Sequence, residues 1–332
     1  MDSLDLSLLA TTATDYARDN QDHVFNQLLN PGFSGIPGSP IRPLTDYVTP
    51  IPGKDEVVLT EIVIGSVLQP DKREGFTPKN NVVKIKPRKA KVKPCKINLK
   101  FTEKQLVTLN KSYYGMIKGP ESKLILDRLP VFEAYINKRI IDTARAELRN
   151  ISLYNGVENI NNPSPEGVFD GIRIKIDEAL ADGEIPVANI ATINAITEAN
   201  AVAEFKKIAK KVPAKYKFSD RLIMVLSPEH LEMYEANYQS TRGALIYNNA
   251  YNKRTLEGTM IEFFVEPGMT GADSPFITTL GNICWLYDDD LTTMSLTFDY
   301  NKRSEDLAYI LKFQAATDFA LAEEIWMGEI DD

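Results

Sequence analysis

Over 130–155 apolar residues return at every third or fourth position. Phe132, Ile136, Ile140, Ala144, Leu148 and Ile151 form one stripe, and Gly156 follows as a C′ residue. The spacing predicts a long helix, roughly 39 Å at about 1.5 Å per residue. A second helix is predicted after Thr197, with Glu198 near its start, Val202, Phe205, Ile208 and Val212 inward, and Pro213 as the stop. Lys206, Lys207, Lys210 and Lys211 fall in its last turns, in agreement with the helix dipole. RLIMVL at 221–226 reads as a buried strand. Ser227, Pro228 and Glu229 then supply the N-cap, the first-turn proline and the first-turn acid of a helix running into the 230s.

Elsewhere the period is two. VVLTEIVIGSVL at 57–68 and VVKIKPRKAKVK at 82–93 suit an antiparallel hairpin, joined by the long connection QPDKREGFTPKNN. Its second strand is so polar that the pair buries little alone and calls for a partner surface. Lys84, Lys86 and Arg88 share one face and Lys89, Lys91 and Lys93 the other, so the pattern predicts a slip of register at Arg88 and Lys89. After residue 255 the chain is mostly β: TMIEFFVEP, NICWLYD, MSLTFDY and LAYILKFQAATDF, separated by turns. At the other end, 3–29 reads as a loosely amphipathic helical arm. Residues 30–53 are so rich in Pro and Gly that neither helix nor ladder is expected, which predicts an extended strap. At about 3.3 Å per residue it reaches roughly 80 Å, and such an arm is expected to lie on a neighbouring copy.

Composition narrows the classes. With 332 residues, 43% hydrophobic and 25% charged, this is the mix of a soluble globular protein, and no apolar run approaches a membrane span. The N-terminus is acidic where a signal peptide is basic, so secretion is not expected. Cys95 and Cys284 stand far apart and make neither a disulfide framework nor a zinc site, which fits a reducing compartment. The net charge of -8 is unevenly placed: residues 79–104 hold ten Lys or Arg against Glu103, a local +9, leaving -17 for the remainder. Such a chain is complementary to itself.

Candidate chemistry is sparse. His23 and His230 are the histidines, and Ser227 with His230 at i and i+3 is explained by helix capping rather than by a nucleophile and base. There is no G-x-S-x-G, H-E-x-x-H, P-loop or G-x-G-x-x-G. Asp288, Asp289 and Asp290 have the oxygen chemistry for a hard cation, but consecutive carboxylates in a turn read as solvated loop. Glu323, Glu324, Glu329, Asp331 and Asp332 read as a solvated tail, and Cys284 as a small core residue. No catalytic, cofactor or metal residue is assigned, and no enzyme is expected. The basic strip has three readings: a solvated face, a nucleic-acid groove, or a docking strand for another copy. Phe101 is its sole aromatic, which weakens a single-strand groove and leaves phosphate-only contact open.

The order of these elements resembles the major capsid proteins of tailed bacteriophages, whose capsid fold is shared with encapsulins and the herpesvirus shell. LPVFEAYINKRIIDTARAELRNISLYNG is similar to that family's spine helix ending at Asn-Gly, and GVFDGI to the segment after it. LIMVLSPEHLEMY resembles the strand and helix of its axial domain, and TLEGTMIEFFVEPGM and LGNICWLYDDD the strand pairs that follow. The resemblance implies an α+β phage capsid fold. Residues 1–53 would be the N-terminal arm, 54–104 the extended hairpin loop, 105–155 with 305–332 the peripheral domain, and 156–304 the axial domain. It further implies a shell subunit that forms hexamers and pentamers in an icosahedral virion assembled in the host cytoplasm around packaged double-stranded DNA, held by non-specific contact. A portal would accompany it, and a separate scaffolding protein is expected because only 53 residues precede the hairpin. No cofactor and no membrane are implied. The residues assigned to the subunit interface are Lys84, Lys86, Arg88, Lys89, Lys91 and Lys93. The alternatives are an encapsulin-like compartment subunit, or a nucleic-acid-binding protein using 79–104.

Overall fold

The computed structural model describes residues 6–29, 41–64, 68, 83–117, 132–217, 219, 221–243, 254–290, 293–301, 303 and 306–330. In chain order they form α1 (Leu6–Leu29), β1 (Val48–Pro52), β2 (Glu56–Ile64), β3 (Val83–Lys91), β4 (Lys93–Thr102), α2 (Glu103–Ile117) and α3 (Phe132–Glu147). Then come α4 (Ile172–Ala181), β5 (Ile190–Ile193), α5 (Ala201–Lys211), β6 (Leu222–Leu226), α6 (Pro228–Arg242), β7 (Glu262–Val265), β8 (Phe276–Thr279) and β9 (Ile283–Tyr287). β10 (Ser295–Asn301), β11 (Asp306–Phe319) and β12 (Ile325–Ile330) complete the order.

Two five-stranded sheets organise the chain. In the first, the long strand β11 pairs antiparallel with β10 and β4 along its first half and with β9 along its second, and β9 takes β1 in parallel. The second runs β5-β12-β8-β6-β7, with β5 parallel to β12 and β6 parallel to β7. Two sequence boundaries move. Residues 93–102, grouped by sequence with the hairpin, are a strand of the first sheet, because β11 offers Lys93–Thr102 a full antiparallel edge. Residues 305–332 divide between the sheets, β11 in one and β12 in the other. Buried Ile325 and Trp326 draw the tail in, so it is not simply solvated. Glu324 accepts hydrogen bonds from the Tyr216 hydroxyl at 2.8 Å and from Thr279 Oγ1. Asp331 and Asp332 lie outside the described residues.

The predicted long helix forms, with a change of pitch. α3 passes into a π-helical turn at Leu148–Ser152 and ends at Asn155. Ile136, Ile141, Ala144 and Leu148 are buried, and Ile140 is only partly so. The wider turn brings Arg149 inward, where Nε and Nη2 donate to the Glu266 carboxylate at 3.0 and 2.6 Å. Gly156 is not a left-handed cap: its φ is -57°. It is needed for close approach, since a Cβ there would stand 2.3 Å from the Phe169 carbonyl oxygen. α5 starts at Ala201 rather than just after Thr197, because Asn200 Oδ1 accepts from the Thr197 N–H and hydroxyl and closes a turn first. Phe205, Ile208 and Val212 face inward as expected, and β6 is buried throughout.

The N-terminal segment departs most from its expectation. Ala13, Ala17, Val24, Phe25, Leu28 and Leu29 of α1 are buried in the same cluster as α3 and β9 to β11. Trp285 Nε1 donates to the Leu29 carbonyl at 3.1 Å. The strap also enters a ladder: β1 pairs with β9 despite Pro50 and Pro52, because it is the outermost strand and its prolines break no interior pairing. Tyr47 sits beside it, its hydroxyl 2.8 Å from that of Tyr154.

Candidate functional site

The basic hairpin is the candidate assembly surface. β2 and β3 pair from Glu56 opposite Lys91 to Ile64 opposite Val83, without interruption. The slip expected at Arg88 and Lys89 is therefore absent; the change comes at Val92, where β3 gives way to β4. Leu59, Ala90 and Val92 pack on Cys284, Leu286 and Ala316 of β9 and β11, with Val57 alongside. Glu56, Val58, Pro87, Lys89 and Lys91 make the outer, exposed face.

Arg88 is turned inward with this apolar face, which corrects its assignment to a neighbouring subunit. Its Nε donates to Asp318 Oδ1 at 2.9 Å, Nη1 pairs with Glu184, and the guanidinium lies 4.0 Å from the Phe319 ring centre. Burial pushes the Asp318 carboxyl above its usual pKa, against the opposing pull of Arg88, the Phe319 amide and Lys175. The flat guanidinium fork suits this site, where a lysine would offer a point charge. Asp318 is Arg88's buried partner because β11 ends beside the hairpin, a juxtaposition no local pattern encodes.

The other strip residues differ among themselves. Lys89 pairs with Glu56 at 2.8 Å, which holds the Glu56 carboxyl below its usual pKa, and Lys93 pairs with Glu158 at 2.5 Å. Lys91 is exposed opposite Glu56. Lys84 and Lys86 lie opposite Val63 and Glu61 in the ladder; their side chains, and the 69–81 connection, lie outside the described residues. A recess of about 170 Å³ separates the hairpin base from the body, lined among others by Lys89, Lys91, Lys93, Lys175 and Asp318. Part of the charge complementarity seen in the sequence is thus satisfied within one chain.

The remaining sequence candidates are structural. The Ser227 hydroxyl accepts from the His230 amide at 3.0 Å as an N-cap, and burial lowers the pKa of the His230 ring. Asp288 accepts from the Asp290 amide at 2.9 Å and the Thr293 hydroxyl at 2.7 Å, which makes it the organiser of a turn. Among the described residues no group of three His, Cys, Asp or Glu is arranged to hold a metal ion. Both cysteines are buried, and burial pushes their thiols up to about 12. Sequence reasoning missed the Arg149–Glu266 pair; the signal was an arginine next to Leu148 on the apolar stripe of an amphipathic helix.

No family model matches the chain, and no curated protein matches it. Solved structures do. A chain of the satellite phage P4 procapsid that includes the size determination (Sid) protein is 15% identical with a TM-score of 0.55, over 87% of this chain and 95% of that one. The capsid of the empty GTA particle is 12% identical with a TM-score of 0.57, over 86% and 88%. This is the phage capsid fold. Among the described residues of this capsid-fold chain, β2 and β3 share no strand pairing with either five-stranded sheet. The hairpin is joined to the body through one apolar patch and the Arg88 cluster.

Proposed function

We propose that the chain is a major capsid protein, the repeated subunit of an icosahedral virion shell built from its hexamers and pentamers. The observation that carries this reading is the capsid fold, shared over most of the chain with the P4 procapsid and GTA capsid structures. The basic residues Lys84, Lys86, Lys89, Lys91 and Lys93 dock on acidic surface of an adjacent subunit, Lys89 and Lys91 from the outer face of the hairpin, Lys84 and Lys86 from positions farther along β3 that alternate with that face, and Lys93 from the start of β4. Arg88 holds the hairpin to its own body. The Lys89–Glu56 pair is exposed enough to be exchanged for a partner on a neighbour. A scaffolding protein guides assembly in the host cytoplasm, a portal admits the genome, and double-stranded DNA meets the inner surface through non-specific contact.

Light scattering and electron microscopy over a concentration series, with and without the candidate scaffold, test the reading. Closed shells are expected. A 37.2 kDa species that never associates would overturn it. Replacing Lys84, Lys86, Lys91 and Lys93 together by Gln tests the strip. Docking predicts a lower shell yield for the variant, and wild-type assembly that weakens with added salt more steeply than the variant's, because the exposed charge contacts that salt screens beyond about 10 Å at 0.1 M are present only in the wild type. Normal empty shells that retain less nucleic acid would assign the strip to DNA instead.

A further inference from the structure

The loop 157–165 leaves the end of α3 and returns toward α4. It points an apolar side chain straight into solvent: Ile160 is 98% exposed and Val157 48%. The loop is not slack. The Val157 amide donates to the Glu166 carbonyl at 2.8 Å, that of Asn159 to Gly167 at 3.0 Å, and that of Asn162 to Asn159 at 2.9 Å. The Asn161 and Ser164 amides donate to the side-chain oxygens of Asn159 and Asn162, both at 3.0 Å, and the Glu158 amide to Asp170 Oδ1 at 2.8 Å. The Ser152 hydroxyl donates to the Pro165 carbonyl at 2.6 Å, and Pro163 and Pro165 fix their own φ. A single exposed isoleucine is ordinary on a protein surface. Here the backbone has been ordered in advance around it, which removes much of the entropy that a contact would otherwise cost.

The tip of the loop is also electrically neutral. In a chain that is 25% charged, residues 159–164 carry no charge at all, and Glu158 at the base is taken up by Lys93. The rest of the chain outside the basic strip is acidic, so a carboxylate at the tip would be repelled by the surface of a second copy, and a neutral apolar tip is not. The Lys93–Glu158 pair also makes the loop continuous with the base of the basic hairpin. We infer that the 157–165 loop is a contact between copies of this chain, with Ile160 as its apolar anchor. The inference rests on the shell-subunit reading above, and its occupant is a second copy.

The test compares full-length wild type with Ile160→Asp and Ile160→Ser. Because Ile160 is almost wholly solvated, the unassembled subunits are expected to melt together. The concentration needed for half-assembly is expected to rise at least about tenfold for Ile160→Asp and several-fold for Ile160→Ser, as loss of a contact anchor implies. Ile160→Ser keeps the tip uncharged and serves where aspartate disturbs the loop. Ile160→Ser assembling at the wild-type concentration overturns the anchor, whatever Ile160→Asp does, and leaves the shell-subunit reading standing. A wild-type chain that never assembles overturns both.

Discussion

The N-terminal segment and the β2–β3 hairpin start from the same deficit, since neither has enough apolar surface to form a core alone. They resolve it differently. α1 commits Val24, Phe25 and Leu28 to the main core and hands its last carbonyl to Trp285. The hairpin commits only a short apolar patch and leaves its outer face to solvent, so its attachment leans on Arg88 with Asp318, Glu184 and Phe319. An appendage in sequence becomes part of the body when it carries large side chains that fill the body's own gaps. It stays an attached lever when its inner face is short and its outer face charged.

Four measurements break or sharpen this contrast. Deleting 1–29 is expected to have the largest effect, loss of cooperative unfolding, because the removed side chains exceed what a margin of about 5–15 kcal/mol tolerates. A deletion variant that still unfolds cooperatively near the wild-type midpoint would show α1 to be an arm after all. Arg88→Met comes next. It keeps the length of the side chain and leaves Asp318 without its charged partner, costing about 1.5–3 kcal/mol. Hydrogen exchange should quicken in β2 and β3 and stay unchanged in β6; uniform quickening would mean that hairpin and body unfold as one unit.

Acid provides a third measurement. Burial raises the pKa of Asp318, so the folded chain binds a proton there at a pH where the unfolded chain has released it. The contribution of this group is therefore fully present below the unfolded pKa and is lost as pH rises through the folded one. Mild acidification should leave the hairpin base closed, and Asp318→Asn should flatten that part of the pH dependence of the melting midpoint. A hairpin base that opens on mild acidification in the wild type would contradict this sign. The smallest effect is expected for Lys89→Gln with Lys91→Gln, whose side chains stand in solvent: the subunit should melt as wild type, and only assembly should respond.

Much of the architecture was legible from periodicity. The long helix, the strand–cap–helix unit at 222–242, the hairpin pairing and the strands after residue 255 all follow from local pattern, since each buries one face at its own period. α2, α4, β5, β8 and β12 passed unread, the strands among them because each is a short run without an extended alternating stretch around it. In the candidate site the basic character of the strip was plain, whereas the inward turn of Arg88 was not, because its partners lie 96 and 230 residues away.

Periodicity along the chain thus determined the long helix, α5, α6, the two hairpin strands and the strands β6, β7, β9, β10 and β11, and composition determined that charge is concentrated around one hairpin. Only the tertiary structure decided that α1 and β1 belong to the body, that β4 leaves the hairpin for β11, and that β12 crosses to the second sheet. The physical reason is common to all three. A local pattern specifies which face of an element must be buried, and the partner that buries it is chosen by shape and charge from parts of the chain that come together only on folding.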